Sequence, residues 1–409
     1  MKIGILTHYY NSTNYGGVLQ AYALTKVLRG MGYDAEQICF SYYDWHELNA
    51  NCINDSQRQN AFSAADQEKK NCSGLQSMYS GLKKAVWART KGRIRRETER
   101  KRQIAKDIFI TPRFASFTSF RDFIPHSDKV YSVNTLFMVN EIYDAFITGS
   151  DQVWNFVWHN PSFFLEFADK DKKKIAYAAS AGASEFDMVQ KKYLSRVLPR
   201  FDAVSVREEN LVGTYKDIAG VHAEYVLDPV MLLTAEDWDE IASDRLIDEK
   251  YIFCFFYNPI SSQYELIKQF AEKKGLKIAL IPYAMGGIQL TVDDDFGDYR
   301  MGAASPVDFI SLIKNAEYVF TDSFHATVYS LIYQKQFFTF VRNYAVDMNS
   351  RITALSKLFD CEDRFCATED KMRIEYLSGL KQKEYSDLPC KHNELRERSI
   401  SFLINALKA

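Results

Sequence analysis

The stretch YVFTDSFHATVYSLIYQKQFFTF, Tyr318 to Phe340, decides the fold. Tyr318 to Thr321 is a short apolar, β-prone run, Phe337 to Phe340 is another, and a helix-length segment lies between them, so the stretch reads as a β-α-β unit. Its central turn places a carboxylate (Asp322), a hydroxyl (Ser323) and an imidazole (His325) within four residues, where a strand ends and a helix begins. The free N–H groups and positive dipole of a helix start suit an anion such as phosphate or carboxylate. Ligands of open α/β sheets gather at the carboxyl ends of strands, which makes this turn the active-site candidate. The plain alternative is structural: Ser323 an N-cap, Asp322 a dipole partner and His325 a satisfied helix residue.

Working outward, the same alternation recurs on both sides. Upstream, Pro306 suits a first helical position and starts Val307 to Asn315. Before it, Tyr251 to Phe256 reads as a strand, Gln263 to Lys274 as a helix ending before Gly275, and Lys277 to Ile281 as a strand. Asp293-Asp294-Asp295 reads as a solvated turn, because three adjacent carboxylates do not converge on one ion in any regular element. Downstream, Asn349-Ser350-Arg351-Ile352 opens a helical tail in which Arg351 is either a second cation at the cleft or a helix cap.

The first half repeats the pattern. Lys2 to Thr7 is a buried strand and Val18 to Gly30 a helix, with paired glycines, Gly16-Gly17, where the two meet; such a turn lets backbone approach a ligand but is more often structural. It is neither a dinucleotide fingerprint nor a phosphate-binding loop of the GK[ST] type. Asp34 to Cys39, Ala145 to Thr148, Lys174 to Ala179 and Ala203 to Val206 read as further strands, with a helix across Glu185 to Leu198. The end of the Ala145 to Thr148 strand carries Ser150-Asp151 within Gly149 to Asn155, which presents a carboxylate to a cleft or forms a tight capped turn. Arg207, where another strand ends, can grip a carboxylate or phosphate with two parallel hydrogen bonds, or pair on the surface with Glu208.

Composition bounds the rest. A chain of 409 residues with 47% hydrophobic and 25% charged residues is long enough for two domains with sizeable cores. The net charge of −2 offers no global argument for nucleic acid. Seven cysteines with no CxxC spacing indicate neither a disulfide framework nor a structural zinc site. With no signal-like start and no long apolar run, the expected location is the reducing cytoplasm. Ser41 to Gln76 is polar and aperiodic and reads as an insertion or mobile loop. Between Lys83 and Lys106, eleven Lys and Arg face two acids, Glu97 and Glu99. That run is a solvated basic helix or, more sharply, a peripheral contact with an anionic membrane surface or a lipid-linked diphosphate at the inner face of the membrane. The aromatic content is compatible with sugar stacking near the strand ends, through Tyr9, Tyr10, Tyr15 and Trp154, though most such rings pack in cores.

The phrases NYGGVLQAYAL (from Asn14), GSDQVWN (from Gly149), SVRE (from Ser205), VLDPVMLL (from Val226), TDSFH (from Thr321) and NSRI (from Asn349) follow one order along nearly the whole chain. In that order the chain resembles the polysaccharide pyruvyl transferase family. The resemblance implies two Rossmann-like doubly wound α/β domains facing a cleft, as in the GT-B glycosyltransferase architecture. Here they would be residues 1–230, with the polar and basic insertion at about 41–130, and 231–349 as the donor-binding domain. Helices over 350–409 would pack back on the first domain. It implies transfer of a pyruvyl group from phosphoenolpyruvate to two hydroxyls of a cell-surface polysaccharide precursor sugar, with no cofactor and no metal. The acceptor is a sugar, lipid-diphosphate-linked or free.

Under that implication His325 gives a proton or holds the phosphate, while Asp151 or Asp322 is the base. Arg207, Ser323, His325 and Arg351 bind the donor, and Asn14, Gly16, Gly17, Ser150, Gln152 and Trp154 line the acceptor cleft. One departure stands out: the family often carries Arg-Leu-His where this chain has Ser323-Phe324-His325, so Arg351, Arg342 or Lys335 would have to supply the cation. The competing readings are a sugar-nucleotide glycosyltransferase of the same architecture and a non-catalytic glycan-binding or assembly protein.

Overall fold

A computed structural model describes residues 1–41, 111–183, 185–283, 293, 295–342 and 349–408. The basic run 83–106 and most of the polar insertion lie outside the described residues.

Two sheets carry the strands. The first is built from β1 (Lys2–Leu6), β2 (Asp34–Ser41), β3 (His126–Ser132), β4 (Ala145–Thr148), β5 (Lys173–Ala179), β6 (Ala203–Val206) and β7 (Ala223–Tyr225), in the order β3-β2-β1-β4-β5-β6-β7. The second is built from β8 (Tyr251–Phe255), β9 (Lys277–Ile281), β10 (Tyr299–Arg300), β11 (Tyr318–Thr321), β12 (Gln336–Phe340) and β13 (Phe365–Cys366), in the order β10-β9-β8-β11-β12-β13. Each strand pairs parallel with its neighbours; β11, for example, sets Phe320 opposite Cys254 on one side and Phe338 on the other. Ile147, Val206 and Phe320, in the middle strands, are wholly buried, as expected where helices cover both faces of a parallel sheet. Strand order reverses between β1 and β4 and again between β8 and β11, which are the switch points where such sheets form their sites.

The helices follow chain order. Flanking the first sheet are α1 (Tyr15–Gly30), α2 (Thr111–Phe123), α3 (Met188–Val197) and α4 (Asn210–Ala219). After the short α5 (Ala235–Asp239) come α6 (Ser261–Lys274), α7 (Pro306–Lys314), α8 (Phe324–Ile332), α9 (Ser350–Leu358), α10 (Ile374–Gly379) and α11 (Leu388–Lys408). Local chemistry sets the ends: Ser305 caps α7 with Pro306 in its first turn, and Gly275, at φ 65°, stops α6 in the left-handed region.

The tail is more than helices. Residues 365–366 add β13 to the second sheet, so the tail only partly returns to the first half. That return is made by α11, whose Phe402, Leu403, Ala406 and Leu407 pack with Ile3, Ile5, Leu24 and Leu28. Its Ser399 Oγ also accepts from Leu227 N–H at 3.0 Å.

The two halves share a core. Tyr15, at the start of α1, stacks on Phe309 of α7 at 4.6 Å and meets Phe255 edge-on at 5.5 Å. Its hydroxyl donates to Ala304 O at 2.7 Å, and Arg113 of α2 donates to Gly302 O and Pro282 O. Burying one such ring is worth about 2–3 kcal/mol. Tyr15 is therefore an interface ring of the core rather than a sugar platform, and Tyr9, also buried, donates to Arg121 O.

Candidate active site

The carboxyl ends of the strands of both sheets converge, and each chain exit delivers a polar side chain. His8 follows β1, Ser150 and Asp151 follow β4, Arg207 and Glu208 follow β6, and Asp228 follows β7. From the second sheet, Tyr257 follows β8, Asp322 to His325 follow β11, and Arg342 follows β12, while α9 supplies Arg351. Most of these groups are buried, so their charges interact through protein more than through water.

Asp228 is the anchor. Its Oδ2 accepts from Arg207 Nη1 at 2.6 Å and from Ser150 Oγ at 2.9 Å, and its Oδ1 accepts from Val230 N–H at 3.0 Å. The His325 imidazole lies 3.7 Å from the same Oδ2. Burial alone would raise the carboxyl pKa, but His325 and then Arg207 hold it well below the ordinary range. The Arg207 guanidinium, 3.6 Å from Asp151 Oδ1, lies over the Phe324 ring at 4.5 Å, and its Nε and Nη2 make no hydrogen bond.

Arg351 is the uncompensated cation. It is 6% exposed, lies over the other reach of Phe324 at 5.7 Å, and has no carboxylate at ion-pair distance among the described residues. Burial, and then the neighbouring Arg207, lower its pKa to about 10. With the Gln152 amide oxygen turned toward it, Gln152 accepts at 2.7 and 3.2 Å, while Arg351 Nε remains unpartnered. Two guanidinium groups thus lie over one phenyl ring, each with at least one unpartnered N–H. A cavity of about 10 Å³, the size of one water, lies beside them and is lined by Arg207, Asp228, Phe324 and Arg351 together with apolar side chains such as Leu227, Met231 and Leu355. Such an arrangement suits an anion with more than one negative group.

Asp151 differs from the other carboxylates. It sits at φ 69°, a left-handed conformation that is costly for a residue other than glycine and common at functional sites. Its side chain is 12% exposed and approaches Arg207 without a direct hydrogen bond. Burial pushes its pKa up, but His325, Arg207, His8 and Arg351 together outweigh that and lower it. It is a held, ionised carboxylate with accepting capacity to spare.

Glycines and caps bring the halves into register. A Cβ on Gly16 would lie 1.9 Å from His325 Nδ1, and one on Gly17 would lie 2.8 Å from His8 O. Asn14 caps α1 by accepting from Gly17 N–H at 3.3 Å, and the same Oδ1 accepts from Tyr257 OH at 3.1 Å across the halves. These three residues therefore shape the junction on which His325 rests.

Several expected site residues are placed elsewhere. Asp322, expected as a base, accepts from Tyr257 N–H at 2.8 Å and Asn258 N–H at 2.9 Å, one on each oxygen, so it works as a backbone strut. Ser323 caps α8, its Oγ accepting from Ala326 N–H at 3.4 Å, which is the plain alternative for that hydroxyl. Trp154, expected at the cleft, is 1% exposed; it stacks on Phe164 at 5.2 Å and donates to Phe163 O at 3.0 Å within the first core. Lys335 stands past the far end of α8, beside β12's start, too distant to replace a cation at Ser323. Arg342 stacks on Tyr257 at 4.4 Å and donates to Asp322 O at 2.8 Å, which leaves Arg351 as the available cation. Asp293 is buried rather than solvated, accepting from Tyr264 OH at 2.6 Å and Tyr283 N–H at 2.8 Å. No cluster of three metal-ligating side chains occurs among the described residues. Asp228, Glu208 and Tyr257 were missed: Asp228-Pro229 reads as a turn, and Tyr257 has no local signal.

Paired parallel sheets, with a cluster of buried arginines and carboxylates where their strands end, define a two-domain α/β protein. The chain belongs to the polysaccharide pyruvyl transferase family, whose sequence pattern matches residues 14–344. Among solved structures it is similar to the S. aureus MnaA–UDP co-structure, at 10% identity and a TM-score of 0.51, covering 100% of this chain and 96% of that one. It is likewise similar to the UDP-GlcNAc 2-epimerase from Methanocaldococcus jannaschii, at 10% identity and a TM-score of 0.50, covering 99% and 100%. At that identity the likeness is one of fold. No curated protein matches the chain. Among the described residues no helix is long and apolar enough to cross a membrane.

Proposed function

We propose that this protein transfers the pyruvyl group of phosphoenolpyruvate to two hydroxyls of a sugar in a polysaccharide precursor, forming a cyclic ketal and releasing phosphate. The observation that supports this most is Arg351, buried beside Arg207 with no carboxylate of its own among the described residues. A small donor carrying both a carboxylate and a phosphate supplies the missing negative charge.

In this reading the free edges of Arg207 and Arg351 hold the donor's two anionic groups. His325 gives a proton to the methylene carbon, and the positive charge that develops on the adjacent carbon is met by a sugar hydroxyl. Asp151 takes the hydroxyl proton. Its depressed pKa makes it a weak base, which suffices because the hydroxyl becomes strongly acidic only as its oxygen bonds to carbon. Phosphate departs along the two guanidinium groups, taking the proton held by Asp151, and a second hydroxyl takes its place on carbon to close the ring, its proton returning to His325. Gln152 and Ser150 position Arg351 and Asp228.

The test is acceptor-dependent release of phosphate from phosphoenolpyruvate, with fractionated polysaccharide precursors, lipid-linked and free, as acceptors. The expected product carries a ketal carbon visible by carbon NMR when the donor is labelled. Hydrolysis of a nucleotide diphosphate sugar instead, with phosphoenolpyruvate untouched, would replace this reading with that of a glycosyltransferase.

A further inference from the structure

Glu208 is buried, 1% exposed, and takes no part in the chemistry just described. It turns from the end of β6 toward the loop that leaves β5, where its Oε1 accepts from Ser180 Oγ and, at 3.4 Å, from Gly182 N–H. That loop is joined to the Asp151 turn through main chain: Ser180 N–H donates to Asp151 O at 3.1 Å, and Trp154 N–H donates to Ser180 O at 3.1 Å. Val153 N–H also donates to Asp151 O, at 2.8 Å.

Both backbones are strained where they meet. Asp151 has φ 69° and Ala178, at the end of β5, has φ 49°, coinciding with a register shift between Ala176 and Ala179. Conformations of this kind cost about 1–3 kcal/mol each and persist only when neighbours hold them. The β6 exit supplies the holding groups: Ser205 Oγ accepts from Ala178 N–H at 3.1 Å, and Glu208 fixes the next turn. Gly182 completes the contact, since a Cβ there would lie 2.9 Å from Asn155 Nδ2 and 3.1 Å from the Gln152 side chain.

We propose that Glu208 is a positioning residue that, through Ser180, holds Asp151 in its left-handed conformation facing the reacting hydroxyl. The functional part rests on Asp151 being the base proposed above; the structural part does not. Glu208 reaches the Asp151 turn through one hydroxyl and one peptide group, and its charge also favours the cationic forms of Arg207 and Arg351.

The test uses Ser180→Ala, which removes the link with little change in volume, together with Glu208→Gln and Glu208→Ala. Amide hydrogen exchange is read at Ser180 and Val153, the two N–H groups bonded to Asp151 O. In Ser180→Ala and Glu208→Ala their protection should fall about tenfold or more while β4 and β5 stay protected. Glu208→Gln, which keeps an acceptor oxygen, should retain most of the protection. In the transfer assay kcat of Ser180→Ala should fall about tenfold with the donor KM within about threefold, and the loss should vanish in an Asp151→Asn background because the two residues act as one unit. Unchanged protection at Ser180 and Val153 would overturn the proposal, as would kcat losses that multiply with Asp151→Asn. If the wild type leaves phosphoenolpyruvate unconsumed, the donor assignment falls, and the exchange measurement still decides the role of Glu208.

Discussion

The imidazole of His325 rests on the α-carbon of Gly16: a methyl group there would lie 1.9 Å from Nδ1 and 2.4 Å from Cε1 and Cγ. Gly16 belongs to the first turn of α1 and His325 to the first turn of α8, so the start of one half's helix is the floor beneath the other half's imidazole. Glycine inside a helix costs about 0.5–1 kcal/mol relative to alanine, and the close approach is what that cost secures.

Gly16→Ala should therefore lower the unfolding free energy by about 1–3 kcal/mol, the usual penalty for overpacking, and suppress transfer by displacing His325. Thermal unfolding should show stability returning in Gly16→Ala/His325→Ala, where the methyl group has room, while activity stays lost. A neutral Gly16→Ala would mean that the halves are not seated on each other in this way.

The Arg207–Asp228 pair should be worth more when broken than when replaced. Removing only Arg207, as Arg207→Met, leaves the buried Asp228 with His325 as its one facing cation among the described residues and should cost about 3 kcal/mol or more in denaturant unfolding. Arg207→Met/Asp228→Asn should recover much of that loss without recovering activity. Equal losses in the single and double variants would contradict the coupling.

Acid should weaken the fold through this cluster. Asp151 and Asp228 have folded pKa values below their ordinary value, so the stability they add is fully present above the unfolded carboxylate value of about 3.9 and is lost as pH falls from there through the folded values. Unfolding free energy followed downward from neutral pH should drop below about pH 4, and the drop should shrink in Asp228→Asn. A pH response identical in Asp228→Asn would remove Asp228 from that role.

Trp154 belongs to the core and should behave so. Trp154→Ala should destabilise by about 3–5 kcal/mol, whereas Trp154→Phe, which loses the hydrogen bond to Phe163 O, should cost about 1–3 kcal/mol and leave the acceptor KM unchanged. A raised acceptor KM in Trp154→Phe with little loss of stability would return this ring to the cleft.

Much of the fold was legible because parallel strands buried on both faces are written as apolar runs. Ala145–Thr148, Ala203–Val206, Lys277–Ile281 and the unit around β11, α8 and β12 stand where their composition sets them. β3, His126–Ser132, escaped notice because HSDKVYS is largely polar, as suits an edge strand. At the site, strand ends pointed to Asp151, Arg207 and His325 and the NSRI phrase to Arg351, the family resemblance weighed them toward function, and the fold brings the four together. It could not separate a carboxylate that faces the cluster from one, such as Asp322, absorbed by backbone N–H groups of a loop 64 and 65 positions away. Asp228 was hidden for the opposite reason: its partners, Ser150, Arg207 and His325, come from three distant chain segments.

The most direct measurement is thermal stability with and without millimolar phosphoenolpyruvate, on the wild type and on Arg351→Met. A ligand that binds only the folded state stabilises it by about 2.7 kcal/mol at a hundredfold excess over its dissociation constant. The wild type should gain stability with phosphoenolpyruvate. Arg351→Met should be no less stable without ligand, since a buried uncompensated charge has been removed, and should lose the ligand-induced gain. A wild type indifferent to phosphoenolpyruvate but stabilised by nucleotide diphosphates, or an undiminished gain in Arg351→Met, would contradict the assignment of this cluster as the donor site.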